Sequence, residues 1–166
     1  NYVLPSHCRQ EINHTGVAVL IGCVHEELAA ECVAWTQEIP QDILVFFLTD
    51  TDEKRDMLME LTSGKNVLLR PEMDWWNCID GFEFVCYLHD VTVPSADIHQ
   101  ITGRSYRYLL QENLLSSPGY IDNVLHTFEE NTRLGILAPP VPVHSCYFQM
   151  FGRYWEDCLP AANQIA

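Results

Sequence analysis

Basic residues are scarce in this sequence: 9 lysines and arginines stand against 23 aspartates and glutamates, for a net charge of −14 over 166 residues. Nucleic acids and anionic membrane surfaces are bound by clustered basic side chains, so this balance argues against both as partners. A phosphorylated ligand is still compatible with the composition, because one or two arginines and a few backbone amides can hold a phosphate.

The sequence also lacks several motifs that mark known chemistries. It contains no Gly-x-Gly-x-x-Gly motif and no P-loop, which argues against a classical dinucleotide or ATP site. A Gly-x-Ser-x-Gly nucleophile elbow is absent too. Thiols stand beside histidine at His7 and Cys8 and within residues 144–146. Residues adjacent in sequence rarely form a catalytic pair, so a thiol enzyme is not favoured.

No apolar run approaches the roughly 20 residues of a membrane span, and no signal peptide is visible. None of the seven cysteines forms a Cys-x-x-Cys pair, and several lie in apolar runs, where a free thiol packs as a small hydrophobic side chain. This usage predicts a reducing compartment. The chain begins Asn-Tyr-Val, so we expect a fragment of a larger protein. We expect a cytoplasmic location, at the inner face of the membrane if regions outside this chain attach it there.

Apolar runs of strand length alternate with helical patterns along the chain, which predicts an α/β fold. The expected architecture is a mostly parallel sheet of about five strands flanked by helices. The length supports one domain, with an N-terminal arm (1–15), the α/β domain (16–140) and a C-terminal tail packed on it (141–166). Strands are predicted at residues 16–24, 43–49, 66–69, 82–88 and 135–138, and helices at 26–39, 51–61, 73–79, 102–115 and 117–131.

Local signals mark the helix ends. Pro40 ends the first helix. Asp50 and Glu53 have the spacing of a capping box that opens the second. Ser117 followed by Pro118 predicts an N-cap with proline at the first helical position.

Charged and polar residues follow the predicted strands. In parallel α/β sheets the ligand crevice lies outside the carboxyl ends of the strands, so these residues are the candidates for a site. They are His25 after the first strand, Asp50 and Asp52 after the second, Arg70 and Glu72 after the third, and His89 and Asp90 after the fourth.

Five segments carry a recognisable pattern in their order and spacing. Three of them read Arg-Tyr-Leu-Leu-Gln-Glu-Asn-Leu-Leu-Ser-Ser (107–117), Val-Leu-His-Thr-Phe-Glu-Glu-Asn (124–131) and Leu-Gly-Ile-Leu-Ala-Pro-Pro (134–140). The first predicted strand is followed by His25, a helix and residues 39–42, and the fourth ends in Tyr87, Leu88 and His89. Over residues 17–140 these segments resemble the rhamnan synthesis protein F family, in which the fourth strand ends in Lys-(Leu/Ile)-His.

The resemblance implies a GT-A-like (Rossmann-like) three-layer module for bacterial cell-surface rhamnan synthesis. Such a module transfers a sugar such as rhamnose from a nucleotide-diphosphate donor, for example dTDP-rhamnose, to a glycan acceptor. The implied cofactor is Mg²⁺ or Mn²⁺, and other polysaccharide-synthesis proteins are implied partners. With the strand-end rule, the implied catalytic residues are His89 and Asp90, with Asp90 also a metal ligand, and the implied donor-binding residues are His25, Asp50, Arg70, Asp74 and Arg107.

The sequence departs from the family in two places. The family's Asn-Arg-Gly-Arg-Asp after the third strand is replaced by residues 69–74, which keep only Arg70 and Asp74. The family's Thr-Lys-Lys-Ser after its histidine is replaced by residues 90–93, so two lysines suited to a diphosphate are missing. The departures favour an alternative, a non-catalytic module that binds a nucleotide sugar or a partner. A third hypothesis is that the chain is a small-molecule-binding α/β domain whose likeness to the family is coincidental.

Each candidate also has a structural interpretation. Asp50-Thr51-Asp52 has the form of a metal-binding Asp-x-Asp, but acidic residues there also suit a helix N-terminus. His89 could bond the backbone beside a solvated Asp90, and His25 could be structural. Arg107 could lie on a solvated helix face with Arg104 rather than meet a phosphate.

Overall fold

The described part of the chain contains four parallel strands. The structure is a computed structural model, and it describes residues 12–63, 66–69, 79–90 and 111–139. The α/β fold and the first four predicted strands are confirmed. In spatial order the sheet runs β3-β2-β1-β4, and every neighbouring pair is parallel. The strands are β1 (Val17–Gly22), β2 (Leu44–Thr49), β3 (Val67–Leu69) and β4 (Phe84–His89).

The predicted fifth strand is not confirmed. Residues 135–138 adopt neither helix nor strand, and Ile136 is 83% exposed. An apolar run becomes a strand only where a neighbouring strand can pair with its backbone, and this one has no such neighbour among the described residues. Leu137 instead lines a cavity beside Phe84 and Leu125.

Three helices connect or follow the strands within the described residues. They are α1 (Ala29–Ala34), α2 (Asp52–Leu61) and α3 (Pro118–Glu130). The predicted helix at 26–39 is divided, because the 3₁₀ turns Glu26–Leu28 and Trp35–Glu38 flank α1. Residues 111–114 are helical, as predicted. The rest of that predicted helix, and all but the last residue of the one at 73–79, lie outside the described residues.

β1 is the centre of the sheet, with β2 on one side and β4 on the other, and all six of its residues are buried. Its side chains alternate between two faces. Val17, Val19 and Ile21 join a core with residues of all three helices; we call this the helix-covered face. Ala18 and Leu20 join a smaller core on the opposite face, which we call the second face.

The helix-covered face holds most of the core. Trp35 is 2% exposed, Leu58 of α2 is fully buried, and Leu125 of α3 packs in the same cluster. On the second face Ile79, the last residue of a predicted helix, packs beside Phe82. The sheet is thus flanked by helical residues, but the three-layer GT-A-like architecture is not confirmed by the described residues.

The caps of two helices can be compared with their predictions. Ser117 caps α3, where its hydroxyl accepts the N–H of Tyr120 at 3.2 Å, and Pro118 is the first helical residue, as predicted. The prediction for α2 was wrong by one residue. Thr51, not Asp50, is the N-cap, and its hydroxyl accepts the N–H of Lys54 at 3.4 Å. The Asp50 carboxylate instead contacts the Lys54 ammonium.

The division into arm, domain and tail stays a prediction, because residues 1–11 and 140–166 lie outside the described part. In the helices that are described, neither length nor apolar character is sufficient to cross a bilayer.

His14 joins three segments of the fold. Its Nδ1 lies 2.9 Å from the carboxylate of Asp42, in the loop before β2, and its Nε2 lies 2.8 Å from that of Asp122 in α3. Burial opposes the charged imidazole, but the two carboxylates outweigh it and raise the pKa of His14 above its usual value. The same contact lowers the pKa of Asp42.

We predict that replacing His14 by Gln destabilises the protein most in mildly acidic solution. Because the folded-state pKa of His14 is raised, its stabilisation is complete below the ordinary value of 6.5 and is lost as the pH rises through the folded-state value. The difference in free energy of unfolding between wild type and His14→Gln, measured by urea denaturation, should therefore shrink from about pH 5.5 to about pH 8.5.

His126→Gln is the matched control, because His126 pairs only with exposed Glu129 and Glu130 of its own helix among the contacts described. His126→Gln should change the free energy of unfolding less than His14→Gln does at every pH. A difference for His14→Gln that is constant or grows with pH would contradict the three-segment contact.

Candidate ligand site at the carboxyl edge of the sheet

The order of the strands defines a switch point between β1 and β4. The chain passes from β1 to β2 and β3 on one side, and β4 then lies on the other side of β1. Ligands of parallel α/β sheets bind in the crevice outside the carboxyl ends of the strands at such a point. Residues 23–25, which follow β1, and Asp90, which follows β4, lie at this edge.

Asp90 holds the loop that follows β1. Its Oδ2 accepts the backbone N–H of Val24 at 2.7 Å and that of His25 at 2.6 Å. His25 Nδ1 lies 3.1 Å from the same oxygen, and the Asp90 side chain is 1% exposed. The two backbone N–H donors stabilise the buried negative charge, as charge-assisted hydrogen bonds do elsewhere. The loop is therefore fixed against the end of β4.

Lys54 of α2 makes a second connection at this edge. Its ammonium donates to the carbonyl of Val24 at 2.6 Å and to Asp50 Oδ1 at 2.8 Å. The contact with Asp50 raises the pKa of Lys54, and the contact with Lys54 lowers the pKa of Asp50. Lys54 thus joins the ends of β1 and β2. We call Val24, His25, Asp50, Lys54 and Asp90 the strand-end network.

His89, the last residue of β4, is exposed and lies towards the second face. Its Nδ1 is 2.9 Å from the backbone carbonyl of Asp90. A carbonyl only accepts, so Nδ1 carries the proton and the neutral ring keeps an acceptor lone pair on Nε2. The ring of Tyr87 lies beside it, with 6.0 Å between centroids.

Gly22 allows this approach of β4 to β1. A Cβ built at Gly22 would lie 3.2 Å from the Cβ of His89 and 3.3 Å from the Tyr87 hydroxyl. A side chain at this position would require His89 or Tyr87 to shift by a few tenths of an ångström, so the glycine favours the close packing of His89 over the end of β1.

The structure brings His25 and Asp90 into contact, and it joins Asp50 to them through Lys54. His89 and Asp90 are adjacent in sequence, but their side chains alternate to opposite faces of the sheet. Asp52 pairs with Arg55 at 2.6 Å on the exposed first turn of α2, which agrees with the helix interpretation of the acidic triplet. The predicted donor-binding residues Arg70, Asp74 and Arg107 lie outside the described residues.

The family model described as rhamnan synthesis protein F matches residues 1–166, the whole chain. The chain belongs to the rhamnan synthesis protein F family. The resemblance inferred from the motifs is confirmed, and it extends beyond residues 17–140. Searches of curated proteins and of solved structures found no match. Membership gives the chain a role in rhamnan polysaccharide synthesis.

Two features of this rhamnan synthesis protein F chain were missed by sequence reasoning. Lys54 was not a candidate, although it lies four residues after Asp50 in a predicted helix, which is the spacing of an ion pair. Cys23 and Cys32 were read only as small hydrophobic residues. Their thiols in fact lie close to the Asp90 carboxylate, a contact between distant parts of the sequence.

We predict that Asp90→Ala lowers the free energy of unfolding by about 3 kcal/mol, because two charge-assisted hydrogen bonds are lost and two N–H groups are left without an acceptor. Asp52→Ala is the control. Its carboxylate is 64% exposed and pairs with Arg55 at the surface, so its loss should change stability by less than about 1 kcal/mol. Equal effects of the two variants in urea denaturation would show that Asp90 does not hold the loop.

Proposed function

We propose that this rhamnan synthesis protein F domain binds a nucleotide-diphosphate sugar at the carboxyl edge of its sheet and transfers the sugar to a glycan acceptor. Rhamnose, carried as dTDP-rhamnose, is the sugar we expect. The observation that carries the proposal is the orientation of His89 at the switch point, with Nδ1 bonded to the Asp90 carbonyl. A base at the acceptor hydroxyl is what such a transfer needs, and the exposed Nε2 has the lone pair for it.

The other side chains at this edge have complementary roles in the proposal. Lys54 is the cation that the described residues place here, and it faces the negative charge of the diphosphate leaving group. His25, 34% exposed, lies on the donor side. Arg70, Asp74 and Arg107, outside the described residues, stay in the proposal as further donor-binding residues.

Asp90 has a different role from the one the resemblance implied. Its carboxylate is enclosed by Val24 and His25, so we assign it to positioning: the carboxylate fixes the loop after β1, and the backbone carbonyl orients His89. The catalytic base is then His89 alone.

The predicted Mg²⁺ or Mn²⁺ does not fit the described residues at this edge. These ions take oxygen ligands. The Asp50 carboxylate is paired with Lys54, and the one group of three possible ligands in the described part contains two thiols. No step of the proposed transfer is therefore assigned to a metal ion.

The cytoplasmic location belongs to the same proposal: cysteine usage predicts a reducing compartment, and Cys23, Cys32 and Cys86 form no disulfide. A glycan acceptor and other polysaccharide-synthesis proteins are the partners we propose.

A non-catalytic module that binds a nucleotide sugar or a partner is the second candidate. It is favoured by the residues after His89, where residues 90–93 replace the family's Thr-Lys-Lys-Ser and the two lysines are missing. With fewer cations, the site would stabilise a departing diphosphate less well.

His89→Asn separates the two candidates. Asparagine keeps a donor near the position of Nδ1 but has no group at Nε2, so we predict that transfer from dTDP-rhamnose falls by about 10²–10⁴-fold while calorimetric binding of the donor is unchanged. A variant that transfers as fast as wild type would contradict the role of His89. Donor binding without transfer in wild type, with every acceptor tried, would favour the binding module.

Lys54→Met tests the donor side. Loss of its charge should weaken the binding of dTDP and of dTDP-rhamnose, measured with and without Mg²⁺ or Mn²⁺. Arg55→Met is the matched control, because Arg55 is the next residue of α2 and pairs with Asp52 and Asp56. Failure of wild type to bind any nucleotide or nucleotide sugar would overturn the proposed function.

A further inference from the structure

Three residues form a row across the carboxyl edge of the sheet. The N–H of Cys23 donates to the carbonyl of Leu48 at 2.8 Å, and the N–H of Asp90 donates to that of Gly22 at 2.8 Å. These bonds continue the pairing of β1 with β2 and of β1 with β4 by one residue. The last pairs within the strands are Gly22↔Leu48 and Gly22↔His89. Thr49, Cys23 and Asp90 are therefore neighbours on adjacent chains, about 4.8 Å apart in the direction of the hydrogen bonds.

All three side chains of this row are buried. Cys23 belongs to the core of the helix-covered face, and alternation places Thr49 on the same face as Phe47. Counted as whole residues, Cys23 is 1% exposed, Asp90 4% and Thr49 0%. The row therefore lies beneath α1 and α2, away from the exposed ring of His89.

α1 brings a second thiol to the row. Cys32 is fully buried, and its Sγ, the Sγ of Cys23 and a carboxylate oxygen of Asp90 all lie within 4.8 Å of one another. The hydrogen bond with Cys23, followed by burial, raises the pKa of Cys32. Two thiols and a carboxylate from three different elements thus share one enclosed space.

Two buried cysteines alone would be ordinary core packing. Two further observations distinguish this cluster. It includes a charged group, the carboxylate of Asp90, whose Oδ2 accepts the N–H groups of Val24 and His25, and apolar core packing does not by itself bury such a group. The hydroxyl of Thr49, in the same row, is buried and has no hydrogen-bond partner within the described residues. Buried polar groups of this kind call for a ligand or a water.

The donor set decides which ligand fits. Mg²⁺, Mn²⁺ and Ca²⁺ take oxygen ligands, whereas thiolates select softer ions. Zn²⁺ is bound by cysteine, histidine and carboxylate ligands, and it accepts three protein ligands with a water in the fourth position.

We propose that Cys23, Cys32 and Asp90 bind a Zn²⁺ ion that fastens α1 to the ends of β1 and β4. Both thiols bind as thiolates, so each ion bound releases two protons from sulfur to solvent and no redox step is involved. The Lys54 ammonium, which interacts electrostatically with Asp90, offsets part of the excess negative charge of the three ligands. The site does not depend on the proposed sugar transfer.

Cobalt titration of the full chain tests this site. The metal-free protein, kept reduced with a phosphine, should bind a single Co²⁺ per chain at these residues, with a thiolate-to-cobalt charge-transfer absorption that Zn²⁺ abolishes. Zn²⁺ should also raise the melting temperature of wild type, because it binds only the folded state at this site. Cys23→Ser and Cys32→Ser should each weaken the binding of Co²⁺ by more than ~10–100-fold. That range is typical of losing a group that only orients a metal ligand, whereas each of these substitutions removes a ligand itself.

Cys86→Ser is the matched control. Cys86 also lies on the helix-covered face of the sheet, in β4, but outside the cluster. Its replacement should leave the cobalt spectrum unchanged. The proposal would be overturned if wild type bound neither ion. It would also be overturned if the charge-transfer band survived both Cys23→Ser and Cys32→Ser, because other cysteines would then hold the ion.

Discussion

The Asp90 carboxylate accepts the backbone N–H groups of Val24 and His25 while its side chain is 1% exposed. Such a charge is costly to bury and is tolerated only because its hydrogen bonds are made within the protein. The contact joins residues that are 65 and 66 positions apart in sequence, across the two central strands. The rest of the carboxyl edge of the sheet depends on this contact. The Asp90 carboxylate fixes the loop from which His25 projects, and the backbone carbonyl of the same residue orients His89.

The position of this contact follows from the fold. β1 pairs with a strand at each edge and is buried on both faces by the two cores, and its apolar residues leave no polar side chain to organise its carboxyl end. The polar groups must therefore come from neighbouring elements: Asp90 from the end of β4 and Lys54 from α2. Gly22 completes the arrangement by leaving room for His89 and Tyr87 to lie over the end of β1.

Local patterns were enough to predict the four strands, the α/β class and the cap of α3, because each depends on a few adjacent residues. The failures involve partners distant in sequence or competition between neighbours. Residues 135–138 have the composition of a strand, but pairing requires a second chain segment. At α2, Asp50 and Thr51 are both suited to cap; Thr51 caps the helix, and the Asp50 carboxylate accepts from the Lys54 ammonium instead.

The candidate site was predictable to a similar degree. The strand-end rule selected His25, Asp50, His89 and Asp90, but it did not indicate that Asp90 would be enclosed and His89 exposed. That difference follows from alternation at the end of β4. The approach of Cys32 to Cys23 and Asp90 is set by how α1 packs on the sheet, which no spacing in the sequence encodes.

Amide hydrogen exchange at Val24 and His25 tests the central role of Asp90 most directly. If its carboxylate holds both N–H groups, they should exchange about as slowly as the Cys23 amide, which donates to Leu48 in the sheet. In Asp90→Ala they should exchange faster, while the Cys23 amide changes less. Val24 and His25 amides that exchange at the rate of an open loop in the wild-type protein would contradict the account.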